Sequence, residues 1–119
     1  MEEHSMADAT SADKVLRVRA LNDAFRTTFR GGKVVKTTGV AALPDMVVAE
    51  AFMQVASFNE FNPQNDPHGE HDFGAFVLCS RTFFWKIDYY DKNLDCGSED
   101  PSDTEKTTRV LTLMLSEDY

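Results

Sequence analysis

Residues 75–91 read AFVLCSRTFFWKIDYYD and predict the hairpin on which the sheet is built. Its first five residues are apolar throughout, which predicts a central strand over 75–79. Ser80-Arg81 predicts a tight connection to a second strand over 82–91, so the two strands form a hairpin. Side chains alternate between the two faces of a strand. The core face of the second strand carries Phe83, Trp85, Ile87 and Tyr89, and the other face, which is aromatic yet charged, carries Phe84, Lys86, Asp88 and Tyr90.

Two helices and a short strand are predicted before this hairpin. Apolar residues recur at three-to-four spacing from Ser11 to Arg30, and Gly31-Gly32 ends that helix. Residues 33–38 are rich in β-branched side chains and carry two lysines, which predicts a strand at a sheet edge. A second helix begins at Pro44. Its apolar stripe consists of Val48, Ala51, Phe52 and Val55.

A third helix is predicted after the hairpin. Ser102 and Glu105 have the spacing of a capping box and precede the apolar run 110–115. The alternation of Leu111, Leu113 and Leu115 is equally typical of a strand, so both interpretations stay open. The expected fold is α+β, with a small antiparallel sheet that has a central hairpin and packs against about three helices. The expected core consists of Leu21, Phe25, Phe52, Val77, Trp85, Ile87 and Leu111.

Length and composition indicate a single domain. The chain has 119 residues, of which 42% are hydrophobic, and this is enough apolar side chain for a compact core. We expect residues 1–10 to be a disordered leader and residues 11–119 to form one α+β domain. The acidic N-terminus and the lack of a long apolar window predict a cytoplasmic protein without a membrane span. Cys79 and Cys96 are expected to be free thiols.

The charge is unevenly distributed along the chain. Residues 11–40 contain seven basic and two acidic residues, net +5, whereas residues 41–119 contain five basic and fifteen acidic residues, net −10. The total of −8 disfavours direct nucleic-acid binding, which depends on neutralising phosphates. The charge serves either solubility or docking on a basic host protein. If it serves docking, the predicted partner-binding acids are Asp91, Asp95, Glu99, Asp100 and Asp103, with Glu70 and Asp72 nearby.

The longest predicted loop, residues 59–74, contains a cluster of possible metal ligands: His68, Glu70, His71 and Asp72. Zinc and non-haem iron favour such donors, so a metal-dependent hydrolase built on this loop is the alternative function. The cluster lacks the spacing of a known metal motif, and no metal site and no cofactor are favoured. In the favoured interpretation Asp66 and Asp72 accept backbone N–H groups in turns, while Phe61 and Phe73 anchor the loop. Lys86 and Asp88 are likewise expected to form an ion pair on their strand, although an acid–lysine cluster is the alternative.

Five segments carry a resemblance that extends from Leu16 to Tyr119. They read LNDAFR (21–26), GVAALP (39–44), NDPHGEHDFG (65–74), FWKIDYYD (84–91) and TTRVLTLML (107–115). On these segments the chain resembles a small bacterial family known as domain of unknown function 3768. The resemblance implies a neighbourhood of plasmids and other mobile elements and implies no activity. Together with the acidity, it leads us to expect a protein-binding inhibitor, such as an anti-CRISPR or other anti-defence protein, that docks on a basic nucleic-acid-binding host protein.

Overall fold

The computed structural model describes residues 10–119, and within them it contains three α-helices and one four-stranded sheet. The helices are α1 (Ser11–Thr28), α2 (Thr38–Ala41) and α3 (Asp45–Ser57). The strands are β1 (Gly32–Lys36), β2 (Phe73–Leu78), β3 (Arg81–Tyr90) and β4 (Thr108–Leu115), and a short 3-10 turn, Ser116–Asp118, follows. This is the expected α+β fold. The predicted leader falls outside the described residues except for Thr10, whose hydroxyl caps α1 by accepting the Asp13 N–H at 3.1 Å.

The sheet has the order β1-β4-β3-β2. The predicted hairpin is confirmed, because β2 pairs antiparallel with β3 from Phe73 opposite Lys86 to Leu78 opposite Arg81. Its two-residue turn is formed by Cys79 and Ser80, whose φ angles of 53° and 62° match the twist of the flanking strands. β3 also pairs antiparallel with β4, whereas β1 pairs with β4 in parallel, so the sheet is mixed and not entirely antiparallel as expected.

The predicted third helix is wrong, and the open alternative of a strand is correct. Residues Thr108–Leu115 form β4, which bonds to β3 on one side and to β1 on the other. Ser102 starts no helix, since its N–H and hydroxyl both bond to the Asp100 carboxylate and the chain continues in turns. Leu111, Leu113 and Leu115 are all buried, as their alternation predicts for a strand of a sheet that is covered on one face.

The prediction that residues 75–79 form a central strand is also wrong, because β2 lies at a sheet edge. Gly74 and Phe76 point toward the core, where Phe76 stacks on Phe83 with ring centroids 5.3 Å apart. The alternation therefore turns Val77 outward, and its side chain is 68% exposed instead of buried. The predicted edge position of β1 is confirmed, since all five of its residues are exposed.

The core lies between the helices and one face of the sheet. Trp85 is fully buried at its centre, and a Cβ at position 74 would overlap the indole, so this close approach requires Gly74. Of the predicted core residues, Phe25, Trp85, Ile87 and Leu111 are buried, whereas Leu21 and Phe52 are half-buried. The opposite face of the sheet has no helix over it among the described residues. There the C-terminal Tyr119 packs edge-on against Phe84 at 5.6 Å. None of the described helices is long and apolar enough to cross a membrane.

Candidate functional site

The chain between β3 and β4, residues 91–107 and here called the acidic loop, contains five of the seven predicted partner-binding acids. Three of them shape its turns with one carboxylate oxygen. Asp91 accepts the Asp95 N–H at 3.0 Å, Asp100 accepts the Ser102 N–H at 3.1 Å, and Asp103 accepts the Glu105 N–H at 2.9 Å. Within residues 10–119 the second oxygen of each carboxylate accepts no hydrogen bond. The hydrogen bonds from Ser102 lower the pKa of Asp100, so this group stays ionised.

The other two acids of the loop, Asp95 and Glu99, are exposed. Glu99 forms an ion pair with Lys106 at 3.3 Å, which raises the pKa of the lysine. Nothing in the described part of the chain bonds to the Asp95 carboxylate. An exposed ion pair such as Glu99–Lys106 contributes little to stability. The loop therefore presents its acids on an ordered backbone.

Two arginines fasten the acidic loop to the rest of the fold. Arg17 on α1 donates through Nε to the Ser102 carbonyl at 2.8 Å. Arg109 on β4 donates through Nη2 to the Pro101 carbonyl at 2.6 Å and through Nε to the Asn22 Oδ1 at 2.7 Å. Burial lowers the pKa of Arg109, but its ordinary value is so high that the guanidinium keeps its charge.

The remaining two predicted acids, Glu70 and Asp72, lie at the end of the segment that joins α3 to β2, residues 58–72 and here called the first loop. Glu70 accepts the Tyr89 hydroxyl at 2.7 Å, and Asn22 donates from Nδ2 both to that hydroxyl and to the Glu70 carbonyl. Burial and the bond to Glu70 raise the pKa of Tyr89, which keeps the phenol protonated as a donor. Burial and the charge of Glu70 also raise the pKa of Asp72. Glu70 thus belongs to a half-buried hydrogen-bond network that reaches the acidic loop through Asn22 and Arg109, whereas Asp72 interacts with Glu70 only through charge.

The four possible metal ligands of the first loop do not converge. His71 stacks on Phe61 with ring centroids 3.8 Å apart and points Nδ1 at the Asp23 carboxylate at 3.0 Å. The Glu70 carboxylate is directed at the Tyr89 hydroxyl, and His68 is exposed to solvent. Among residues 10–119 no group of three or more His, Cys, Asp or Glu side chains has the geometry to hold a metal ion. The condition on which the metal-dependent hydrolase depended is therefore not met by the described residues.

The first loop is held in place largely as the turn interpretation predicts. Asp66 accepts the His71 N–H at 3.1 Å, and Phe61 anchors the loop by packing against Trp85. Asp72 contributes differently from the prediction, since its carbonyl rather than its carboxylate accepts a backbone N–H, that of Ile87 at 2.9 Å. Arg26 on α1 also holds the first loop in place. Its Nη1 donates to the Val55 carbonyl at 3.0 Å, and its guanidinium lies 5.2 Å from the Phe61 ring centroid.

Sequence reasoning missed Asn22 and Arg109, the buried polar residues that join the two loops. A signal for Asn22 is present, because it stands four residues after Val18 and three before Phe25, both buried, and so lies on the apolar face of α1. Arg109 has a comparable signal. It alternates with Leu111 and Leu113 along β4 and therefore lies on the same face of the strand. The ion pair expected on the opposite sheet face is confirmed, with Lys86 Nζ 3.0 Å from Asp88 Oδ2.

Residues 36–118 match the family described as "Protein of unknown function (DUF3768)". The chain belongs to this family. No curated protein and no solved structure matches the chain significantly. The DUF3768 match begins at Lys36, the last residue of β1, and includes α2, α3, the remaining strands and both loops. All seven predicted partner-binding acids therefore fall inside the family region, whereas the α1 residues that fasten the loops precede it.

Proposed function

We propose that this DUF3768 domain is a small acidic protein-binding module that docks through the acidic loop on a basic, nucleic-acid-binding host protein. The observation that carries the proposal is the ordered presentation of the acids. Asp91, Asp100 and Asp103 each fix a turn with one oxygen and leave the other unbonded within the described residues. A loop that is already ordered loses less conformational entropy when it binds.

The charge of the molecule supports a basic partner. Residues 41–119, which include the loop, carry a net charge of −10, and the whole chain carries −8. Clustered charge of one sign steers an oppositely charged partner and raises its association rate. The same charge repels phosphates, so the surface of the partner that normally binds DNA or RNA is the natural target.

The narrower part of the proposal is that the target belongs to a bacterial defence system. The expected neighbourhood of plasmids and mobile elements favours an inhibitor of the anti-CRISPR kind, acting in the cytoplasm. An acidic domain that covers the nucleic-acid site of a defence nuclease would block it without any catalytic residue. We accordingly assign the domain a binding role rather than an enzymatic one.

A capture experiment with charge-matched variants tests the docking surface. Tagged wild-type protein is incubated with bacterial lysate beside D95K/E99K and, as a control, E50K/E117K. Each variant replaces two exposed acids, one of which is in an ion pair: Glu99 with Lys106, and Glu117 with Arg81. Each substitution of an acid by lysine changes the charge by +2, so both variants carry −4 instead of −8.

We expect wild type and E50K/E117K to retain a basic nucleic-acid-binding protein, which is identified by mass spectrometry. Added DNA should compete for this protein and release it. D95K/E99K should lose it. Equal loss in both variants would show that net charge, not the acidic loop, drives binding, and an acidic target would contradict the proposal outright. The defence role is tested separately, by phage plating on a CRISPR-immune strain that expresses wild type or D95K/E99K. Only wild type should restore plaques.

A further inference from the structure

The two free edges of the sheet differ in how they are protected. β1, Gly32–Lys36, carries Lys33 and Lys36, and charged side chains of this kind discourage strand pairing. β2, Phe73–Leu78, carries no charged residue and no proline. An uncharged edge strand is a template for the addition of another strand, so β2 is the edge that invites a partner.

The pattern of hydrogen bonds between β2 and β3 shows which backbone groups of β2 are available to another strand. The Asp72 carbonyl accepts the Ile87 N–H, and in an antiparallel pair alternate residues face the neighbouring strand. Gly74, Phe76 and Leu78 therefore bond to β3, whereas the N–H and C=O groups of Phe73, Ala75 and Val77 point away from the sheet. No hydrogen bond within residues 10–119 reaches these outward groups.

The surface beside this edge is open. A groove of about 240 Å³ lies between β2 and the end of α3, lined by Gln54, Phe58 and Val77 among others, and Glu60 is the single charged residue among those lining it. Ala75 and Val77 are both exposed. An added strand would thus find free backbone groups and uncovered apolar side chains along β2.

We propose that the occupant of this edge is a second copy of the chain, with β2 pairing antiparallel to β2 across a two-fold axis at Ala75. The three outward residues are symmetric about Ala75, so Phe73 of one copy faces Val77 of the other, and each apolar side chain meets an apolar one. The pairing brings no like charges together along the strands. The equivalent pairing of β1 would place four lysines along the two paired strands, and their like charges oppose it. The product is a continuous eight-stranded sheet.

The dependence on salt separates this inference from docking by the acidic loop. Each chain carries −8, so two copies repel each other at low ionic strength. Added salt screens this repulsion, and the β2 pairing becomes stronger. Docking on a basic partner has the opposite dependence. The two associations also use different surfaces, so either one can fail without the other.

Sedimentation equilibrium of the full chain tests the proposal. Wild type should show a species of twice 13.4 kDa. Val77→Lys should weaken self-association at least about tenfold. Val35→Lys is the matched control, because Val35 is 44% exposed on the β1 edge. It should leave self-association unchanged. A wild type that stays monomeric at about 1 mM, or dimers that Val77→Lys does not weaken, would overturn the proposal, as would a monomer that instead binds an extended peptide of another protein along β2.

Crosslinking tests the register. Ala75→Cys, made together with Cys79→Ser and Cys96→Ser, places two exposed thiols opposite each other at the two-fold axis, where Cβ atoms of paired residues lie about 5 Å apart. A short thiol-specific crosslinker should join these copies covalently. A cysteine at Val35 in the same background should not be crosslinked, although this variant still self-associates through β2. Crosslinking at position 35 but not at 75 would contradict the proposed pairing.

Discussion

The first loop and the acidic loop are both irregular, both rich in carboxylates and both fastened to α1, yet they direct their acids differently. In the first loop Glu70 accepts the Tyr89 hydroxyl, and the buried Asp66 accepts a backbone N–H. In the acidic loop Asp95 and Glu99 are exposed. Acidic composition alone therefore does not identify a binding surface. The exposure of each carboxylate decides whether it can reach a partner.

Asn22 gives the largest expected effect, because it joins both loops. Its amide is fully buried. It accepts a hydrogen bond from the Arg109 guanidinium and donates to the Tyr89 hydroxyl and the Glu70 carbonyl. Asn22→Ala removes one buried hydrogen bond from each of these groups and should lower the free energy of unfolding by about 2–4 kcal/mol, measured by urea denaturation. Asn59→Ala, at an exposed position of the first loop, is the control and should change it by less than about 0.5 kcal/mol. Equal effects would mean that Asn22 does not link the loops.

Thr107 gives a smaller effect, confined to the acidic loop. Its buried hydroxyl donates to the Asp100 carbonyl at 2.9 Å and bonds to the Ser98 hydroxyl at 2.7 Å. Thr107→Val keeps the shape of the side chain and should cost about 1–2 kcal/mol in urea denaturation. Thr104→Val, in the same loop but exposed, should be nearly neutral. A neutral Thr107→Val would show that the loop does not depend on this bond for its order.

Asp72 gives the smallest effect, and its size depends on pH. Its pKa in the folded protein lies above the ordinary value of 3.8, because of burial and the charge of Glu70. A carboxyl group of this kind favours folding at low pH, and that contribution is lost as the pH rises through the folded pKa. Asp72→Asn should therefore stabilise the protein at pH 7 by about a few tenths of a kcal/mol, since solvent screens this half-buried group.

The check on Asp72 is a series of urea denaturations between pH 3 and pH 7. The gain from Asp72→Asn should shrink toward zero as the wild-type carboxyl becomes protonated. A gain that stays constant across this range would show that the substitution acts through packing rather than charge.

The sequence predicted the fold well wherever side-chain periodicity had one interpretation. Phe25 and Trp85 are buried as expected, and the hairpin forms where the turn was placed to within one residue. The helix prediction for residues 102–115 was wrong because a local capping signal at Ser102 suggested a helix. The long-range pairing of β4 cannot be seen in the local sequence. Val77 went wrong for a related reason, since an apolar run does not show whether its strand has one neighbour or two.

The candidate site was predicted less completely than the fold. The acids of the acidic loop could be recognised by composition, and their exposure at Asp95 and Glu99 agrees with a surface role. The partners of Glu70 and His71 could not be predicted, because Tyr89 and Asp23 lie far away in the sequence and only the tertiary fold brings them together. Asn22 was missed although its place among apolar residues of α1 is visible in the sequence.

The salt dependence of binding shows whether the acidic loop is the docking surface. The dissociation constant between this domain and its captured basic partner is measured by calorimetry from about 50 to 200 mM salt, for wild type, D95K/E99K and E50K/E117K. We expect binding to weaken steeply with salt for wild type and E50K/E117K, and D95K/E99K to bind weakly with a shallow dependence. A steep dependence that D95K/E99K leaves unchanged would contradict the account.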